Sequence, residues 1–178
     1  MTFTEYQSES QRTCPSLGDL RVDISHMVLG INSEINELQD AIAIKDIVNI
    51  SEEIADTHWY ISNMCRMRGY DYDALRVFST VPTGLNSNGL INMLYREISL
   101  LQDVVKKNIA YGKSHNDEVY HLGRICWALS DLAKRKGIDI HQALFKNIEK
   151  LKARYPEKFT TENALNRDLE KERDILER

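Results

Sequence analysis

Apolar residues recur at three- and four-residue steps along most of this chain, Ile31, Ile35, Leu38 and Ile42 in one stretch and Ile50, Ile54, Ile61 and Met64 in the next. That period marks a helix burying one face and is incompatible with the two-residue alternation of a half-buried strand. Breakers are sparse, eight glycines and three prolines in 178 residues, so an all-α fold is expected. Ser16 is placed to cap a helix running to about Ala43, Asp46 to cap the next, and Gly69 to end it in the left-handed conformation glycine tolerates. A polar start precedes these helices, and a short helix is expected after Asp71. Residues 81–89, VPTGLNSNG, combine proline, two glycines and turn-forming polar residues, and are read as a linker.

The helices beyond the linker repeat those before it. Glu34-Ile35 followed by Leu38-Gln39-Asp40 recurs as Glu97-Ile98 and Leu101-Gln102-Asp103, and Trp59, Ser62, Gly69 and Asp71 recur as Trp127, Ser130, Gly137 and Asp139. The extra residues of the second copy fall in the loop containing YGKSHND. Two related helical hairpins in one chain predict a bundle in the form of a tandem pseudo-dimer. The expected organisation is one all-α domain over 1–178: a first repeat at about 17–79, a linker at 80–89, a second repeat at about 90–155 and a C-terminal tail at 156–178.

Within the first repeat, Glu34 and Glu37 form one three-residue step, and Glu53 and Asp56 form another. Residues i and i+3 share a helix face, so an antiparallel pair would bring four carboxylates together. Packed closely, they repel and raise one another's pKa unless a cation lies among them. Oxygen-only ligands suit a hard divalent ion, Mg²⁺ or Mn²⁺, with open positions for a phosphate-bearing ligand. The competing reading is a solvated acidic face. The second copy weighs against it: Glu97 keeps the place of Glu34, but Leu100, His121 and Arg124 stand where Glu37, Glu53 and Asp56 do in the first. One copy therefore looks specialised. In the last amphipathic segment, Asn147, Lys150 and Arg154 form a stripe opposite Leu144, Ile148 and Leu151, suited either to phosphates or to solvent.

A net charge of −4 argues against a sequence-independent nucleic-acid binder, which needs a basic field. No apolar run approaches the roughly 18 residues of a membrane span, and MTFTEYQSES resembles no secretion signal, so a cytoplasmic protein without membrane partners is expected. Cys14, Cys65 and Cys126 are odd in number and lack a CxxC spacing, which predicts free thiols.

Glu34, Glu37, Glu53 and Asp56, with EEIADTHWYI around the second pair, resemble the motifs of the MazG-like all-α nucleoside triphosphate pyrophosphohydrolases, relatives of dimeric dUTPases and phosphoribosyl-ATP pyrophosphohydrolases. EYQSESQRT is similar to the leader of MazG-like proteins, NIEKLKARYPEKF to their C-terminal signature and NALNRDLEKE to the tail after it. The resemblance implies Mg²⁺ on the acid quartet and hydrolysis of a nucleoside triphosphate to monophosphate and pyrophosphate, with Glu37 or Glu34 as general base. It also implies a homodimer or larger assembly; here the second hairpin would act as a built-in neighbour. Asn63, two turns beyond Asp56, is a candidate contact to sugar or phosphate alongside Asn147, Lys150 and Arg154. A non-catalytic nucleotide-binding or regulatory module is the alternative, as is hydrolysis of another pyrophosphate compound. A di-iron carboxylate bundle would require Glu-x-x-His pairs, and the residue three after Glu53 is Asp56.

Overall fold

The computed structural model describes residues 1–76 and 84–178. Eight α-helices and two short 3₁₀ turns account for the regular structure of these residues, and strands are absent among them. The all-α expectation therefore holds, and its cause is visible at the helix ends. Asp46 accepts a hydrogen bond from the Asn49 N–H (3.1 Å) at the start of the helix Ile47–Arg68, and Gly69 (φ 71°) closes that helix as expected. The preceding helix, Leu20–Ile44, starts later than Ser16 predicts. Gly18 turns the backbone at φ 86°, and Asp19 caps in place of Ser16, accepting from the Arg21 N–H at 2.7 Å. After Asp71 the described residues form a 3₁₀ turn, Ala74–Arg76, where a short helix was expected. Residues 80–83 of the expected linker lie outside the described residues.

The first segment differs from expectation. Residues Phe3–Ser10 form a helix, α1, closed at its start by a Thr2–Glu5 capping box and burying Phe3, Tyr6 and Ser10 at helical spacing. With only three buried residues among eight, its pattern in the sequence is faint. α1 is followed by α2 (Leu20–Ile44), α3 (Ile47–Arg68), α4 (Ser87–Tyr111), α5 (Asp117–Arg135), α6 (Ile140–Arg154), α7 (Thr161–Leu165) and α8 (Leu169–Glu177).

α2 and α3 pack as a pair, as do α4 and α5, and α2 packs on α4. The first pair is antiparallel: Gly30, early in α2, faces Tyr60, late in α3. Ile31, Ile35, Leu38, Ile50, Ile54, Ile61 and Met64 are fully buried between the helices. Each contributes about 1.5–3 kcal/mol relative to exposure, enough together to hold mutually repelling acids on the same two helices. α6 lies on α3, α1 bridges α3 and α6, and α8 covers α6. Arg68 at the end of α3 grips the fully buried Glu118 of α5 with two bonds (2.9 and 2.7 Å), tying one helical pair to the other. The C-terminal tail is similarly docked: Arg173 of α8 reaches Asp46 (3.0 Å).

Among the described residues no helix is long and apolar enough to cross a membrane. Cys14 and Cys65 are free thiols.

Candidate functional site

The turn at residues 45–46 returns α3 along α2 and brings three of the four expected acids together, with Asp56 at the edge of the group. Glu34, Glu37 and Glu53 each present an oxygen within 4.8 Å of the others. Glu53 is only 5 % exposed, and its Oε2 has no hydrogen-bond partner. Burial, a shared hydrogen bond with Glu34 and the negative charges of Asp56, Glu34 and Glu37 push the Glu53 carboxyl far above the usual range. Burial, followed by the charges of Asp56 and Glu37, pushes Glu34 up to about 7, against a partial offset from its bond to Glu53 and from Lys150. Burial and mutual repulsion thus favour a proton on this pair near neutral pH.

Asp56 lines the same pocket, but its oxygens are already engaged. Asn147 donates to Oδ1, and Lys150 Nζ lies 2.5 Å from Oδ2 and 2.9 Å from Glu52 Oε1. A carboxylate has about four lone-pair sites, so Asp56 keeps capacity for another ligand. Lys150 is 1 % exposed. Burial alone would lower its pKa, but Asp56 and Glu52 outweigh that and hold the ammonium above its ordinary value. Asn147 and Lys150 of the stripe thus point inward, against α3, whereas Arg154 turns to Glu172 of α8. The sequence reading overlooked Glu52, although Glu52 and Asp56 are spaced i, i+4 and share the face that meets Lys150.

A pocket of about 730 Å³ opens over the acids. Besides Glu34, Glu37, Glu52, Glu53 and Asp56 its walls include Trp59, Tyr60, Tyr155 and Phe159, with Arg154 and Arg167. Arg154 is held by Glu172 through two bonds (2.7 and 2.6 Å), and Arg167 shares the same carboxylate at 2.7 Å. Of the four suggested substrate contacts, only Arg154 lines this pocket among the described residues. Asn63 is 0 % exposed and donates to the carbonyl of Trp59 (3.0 Å); on α3 it falls on the buried face rather than the open one. Asn147 is sealed behind Asp56, and Lys150 beneath the acids. Tyr155 and Phe159 lie in NIEKLKARYPEKF and Arg167 in NALNRDLEKE, but neither segment by its sequence marks these residues as pocket walls.

Tyr60 reaches the pocket because α2 has a glycine opposite it. A Cβ on Gly30 would lie 2.1 Å from Tyr60 Cε1. Gly30→Ala should therefore displace the ring and destabilise the protein by about 1–3 kcal/mol; an unchanged denaturant midpoint would show that Tyr60 swings aside freely.

The shared proton makes a second test. The folded state keeps protons on Glu34 and Glu53 at pH values where the unfolded chain has released them, so the associated stability is complete below about pH 4.5 and drains away as pH rises through about 7 for Glu34 and about 10 for Glu53. Glu53→Gln cannot acquire the second charge. In EDTA, its stability advantage over the wild type should grow from pH 5 to pH 8; a constant difference would mean the two acids do not share a proton.

The pair formed by α4 and α5 carries a buried acid of its own. Glu97, 2 % exposed, accepts from Arg124 Nε at 2.7 Å and meets His121 Nδ1 at 2.8 Å. Arg124 and His121 thus supply a counter-charge and a ring nitrogen to Glu97. Comparison with protein-family models, curated proteins and solved structures returned no match.

Proposed function

We propose that the chain is a Mg²⁺-dependent nucleoside triphosphate pyrophosphohydrolase, converting (d)NTPs to (d)NMPs and pyrophosphate. The observation that carries this reading is the partnerless buried oxygen of Glu53 beside two further carboxylates, at a pocket that also has aromatic and arginine walls. Orphaned buried acceptors are rare and expensive, and a cation is the partner that would satisfy this one. The donor set is oxygen alone, which fits Mg²⁺, or Mn²⁺ in its place. Glu34, Glu37 and Glu53 would hold the ion, with Asp56 as a fourth ligand.

When bound, the metal supplies charge neutralisation of the triphosphate and acidification of a water ligand. The protein does the rest. Glu37, the exposed member of the cluster, is assigned as general base, with Glu34 beside it. Arg154 and Arg167 offer forked donors to phosphate oxygens, as guanidinium groups do where several charges must be matched at fixed geometry. The partly exposed rings of Tyr60 and Phe159 offer faces for a nucleobase. The second hairpin is read as a copy that lost its acids and neutralised the remaining one with Arg124.

One observation favours a second reading, a non-catalytic nucleotide-binding module: Lys150 already gives Asp56 and Glu52 a cation. One experiment separates the two. The protein is incubated with each NTP and dNTP, in Mg²⁺ and in EDTA, and pyrophosphate is measured separately from orthophosphate. Metal-dependent pyrophosphate with equimolar monophosphate supports the enzyme; nucleotide binding without turnover supports the module.

A further inference from the structure

Tyr6 lies in α1, far from the acids in sequence, yet its hydroxyl is fully buried against the back of the site. It is 2.7 Å from Asn147 Oδ1, with the carbonyl of Ala55 at 3.0 Å as a second acceptor. Asn147, itself 0 % exposed, donates through Nδ2 to Asp56 Oδ1. Each link dictates the next. A carboxylate only accepts, so Asp56 selects the amide nitrogen of Asn147; the amide oxygen is left needing a donor, and the tyrosine hydroxyl is that donor. With Lys150 on its other oxygen, Asp56 is clamped from both sides.

We propose that Tyr6 is a positioning residue for the metal centre: through Asn147 it fixes the orientation of the Asp56 carboxylate, so that α1 is part of the site although it contributes no wall to the pocket. This rests on the Mg²⁺ reading above. Partners that orient a metal ligand are worth about 10- to 100-fold in affinity or activity when removed, and a neutral hydroxyl acting at one remove belongs at the lower end. The rest of α1 has a different task. Ser10 Oγ meets Ser62 Oγ at 2.8 Å, packing the helix onto α3 without touching Asn147 or Asp56.

The test is a titration of the full-length protein with Mn²⁺ alone, followed by the paramagnetic signal of the free ion, so that it does not depend on turnover. Tyr6→Phe should weaken Mn²⁺ binding about tenfold, and it should raise the Mg²⁺ concentration needed for half-maximal pyrophosphate release more than it lowers kcat. Ser10→Ala should bind Mn²⁺ as the wild type does. Asn147→Ala offers a second route to the same relay: if Tyr6 acts through Asn147, the double variant should bind no worse than Asn147→Ala. Wild-type affinity in Tyr6→Phe, fully additive losses, or an equal loss in Ser10→Ala would each overturn the relay alone. A wild type that binds no Mn²⁺ would overturn the metal reading, and the relay with it.

Discussion

Glu53→Gln should retain the fold and lose Mg²⁺-dependent turnover by on the order of a thousandfold, more than the 10- to 100-fold typical of a residue that merely supports a ligand. The two halves of this prediction come from one fact. Glu53 is buried with an unpartnered oxygen and a carboxyl pushed far above its usual range by burial and by its acidic neighbours. In the absence of metal it is a burden on the fold, and replacing it with a neutral amide of the same shape relieves the repulsion. With metal present it would be the most enclosed ligand of the cluster, and the amide would offer neither its charge nor its second oxygen. Loss of activity with an unchanged or raised denaturant midpoint in EDTA is the expected pair of results. A variant that turns over normally would remove Glu53 from the chemistry, and one that unfolds would make it structural.

Lys150→Met should be among the most damaging single changes to stability. The side chain is almost entirely enclosed and has carboxylates on two sides, Asp56 at 2.5 Å and Glu52 at 2.9 Å. Methionine matches its length and fills the space, so the loss is electrostatic: two partly buried acids are left without their cation. Breaking a buried pair from one side costs about 3–5 kcal/mol, which for a chain of this size lowers the melting temperature by on the order of 10 °C. If the acids above Lys150 also hold a divalent ion, Mg²⁺ should recover part of the loss, and the deficit should be larger in EDTA. Melting curves under the two conditions decide this. A deficit indifferent to Mg²⁺ would separate Lys150 from the metal cluster and strengthen the non-catalytic reading.

How much was legible beforehand depends on the range of the interactions. Asp46 and Gly69 were identifiable as cap and stop because a cap needs only its own residue and the few after it. The meeting of Glu34, Glu37 and Glu53 was nearly as visible, since two i, i+3 steps on consecutive helices joined by a short turn have few ways to avoid each other. Ser16 was misassigned because a positive-φ glycine lies between it and the helix. The roles of Asn147 and Lys150 were harder still. Their spacing marks a polar stripe, but a stripe facing solvent and one facing buried acids read the same in sequence, and the partner Asp56 is 91 and 94 positions away. Tyr6 and Asn147 are separated by 141, and nothing local to α1 points to its partner.

The sequence by itself determined the all-α class, the cap and stop of α3 and the two acid pairs, because these follow from periodicity and from contacts within a turn or two. Only the tertiary structure decided that Asp56 is clamped by Asn147 and Lys150, that Tyr155, Phe159 and Arg167 join the pocket, and that Asn63 does not. Those outcomes depend on how α1, α6 and the C-terminal segment pack against α3, and packing is set by the summed burial of many distant side chains rather than by any residue's neighbours in the chain.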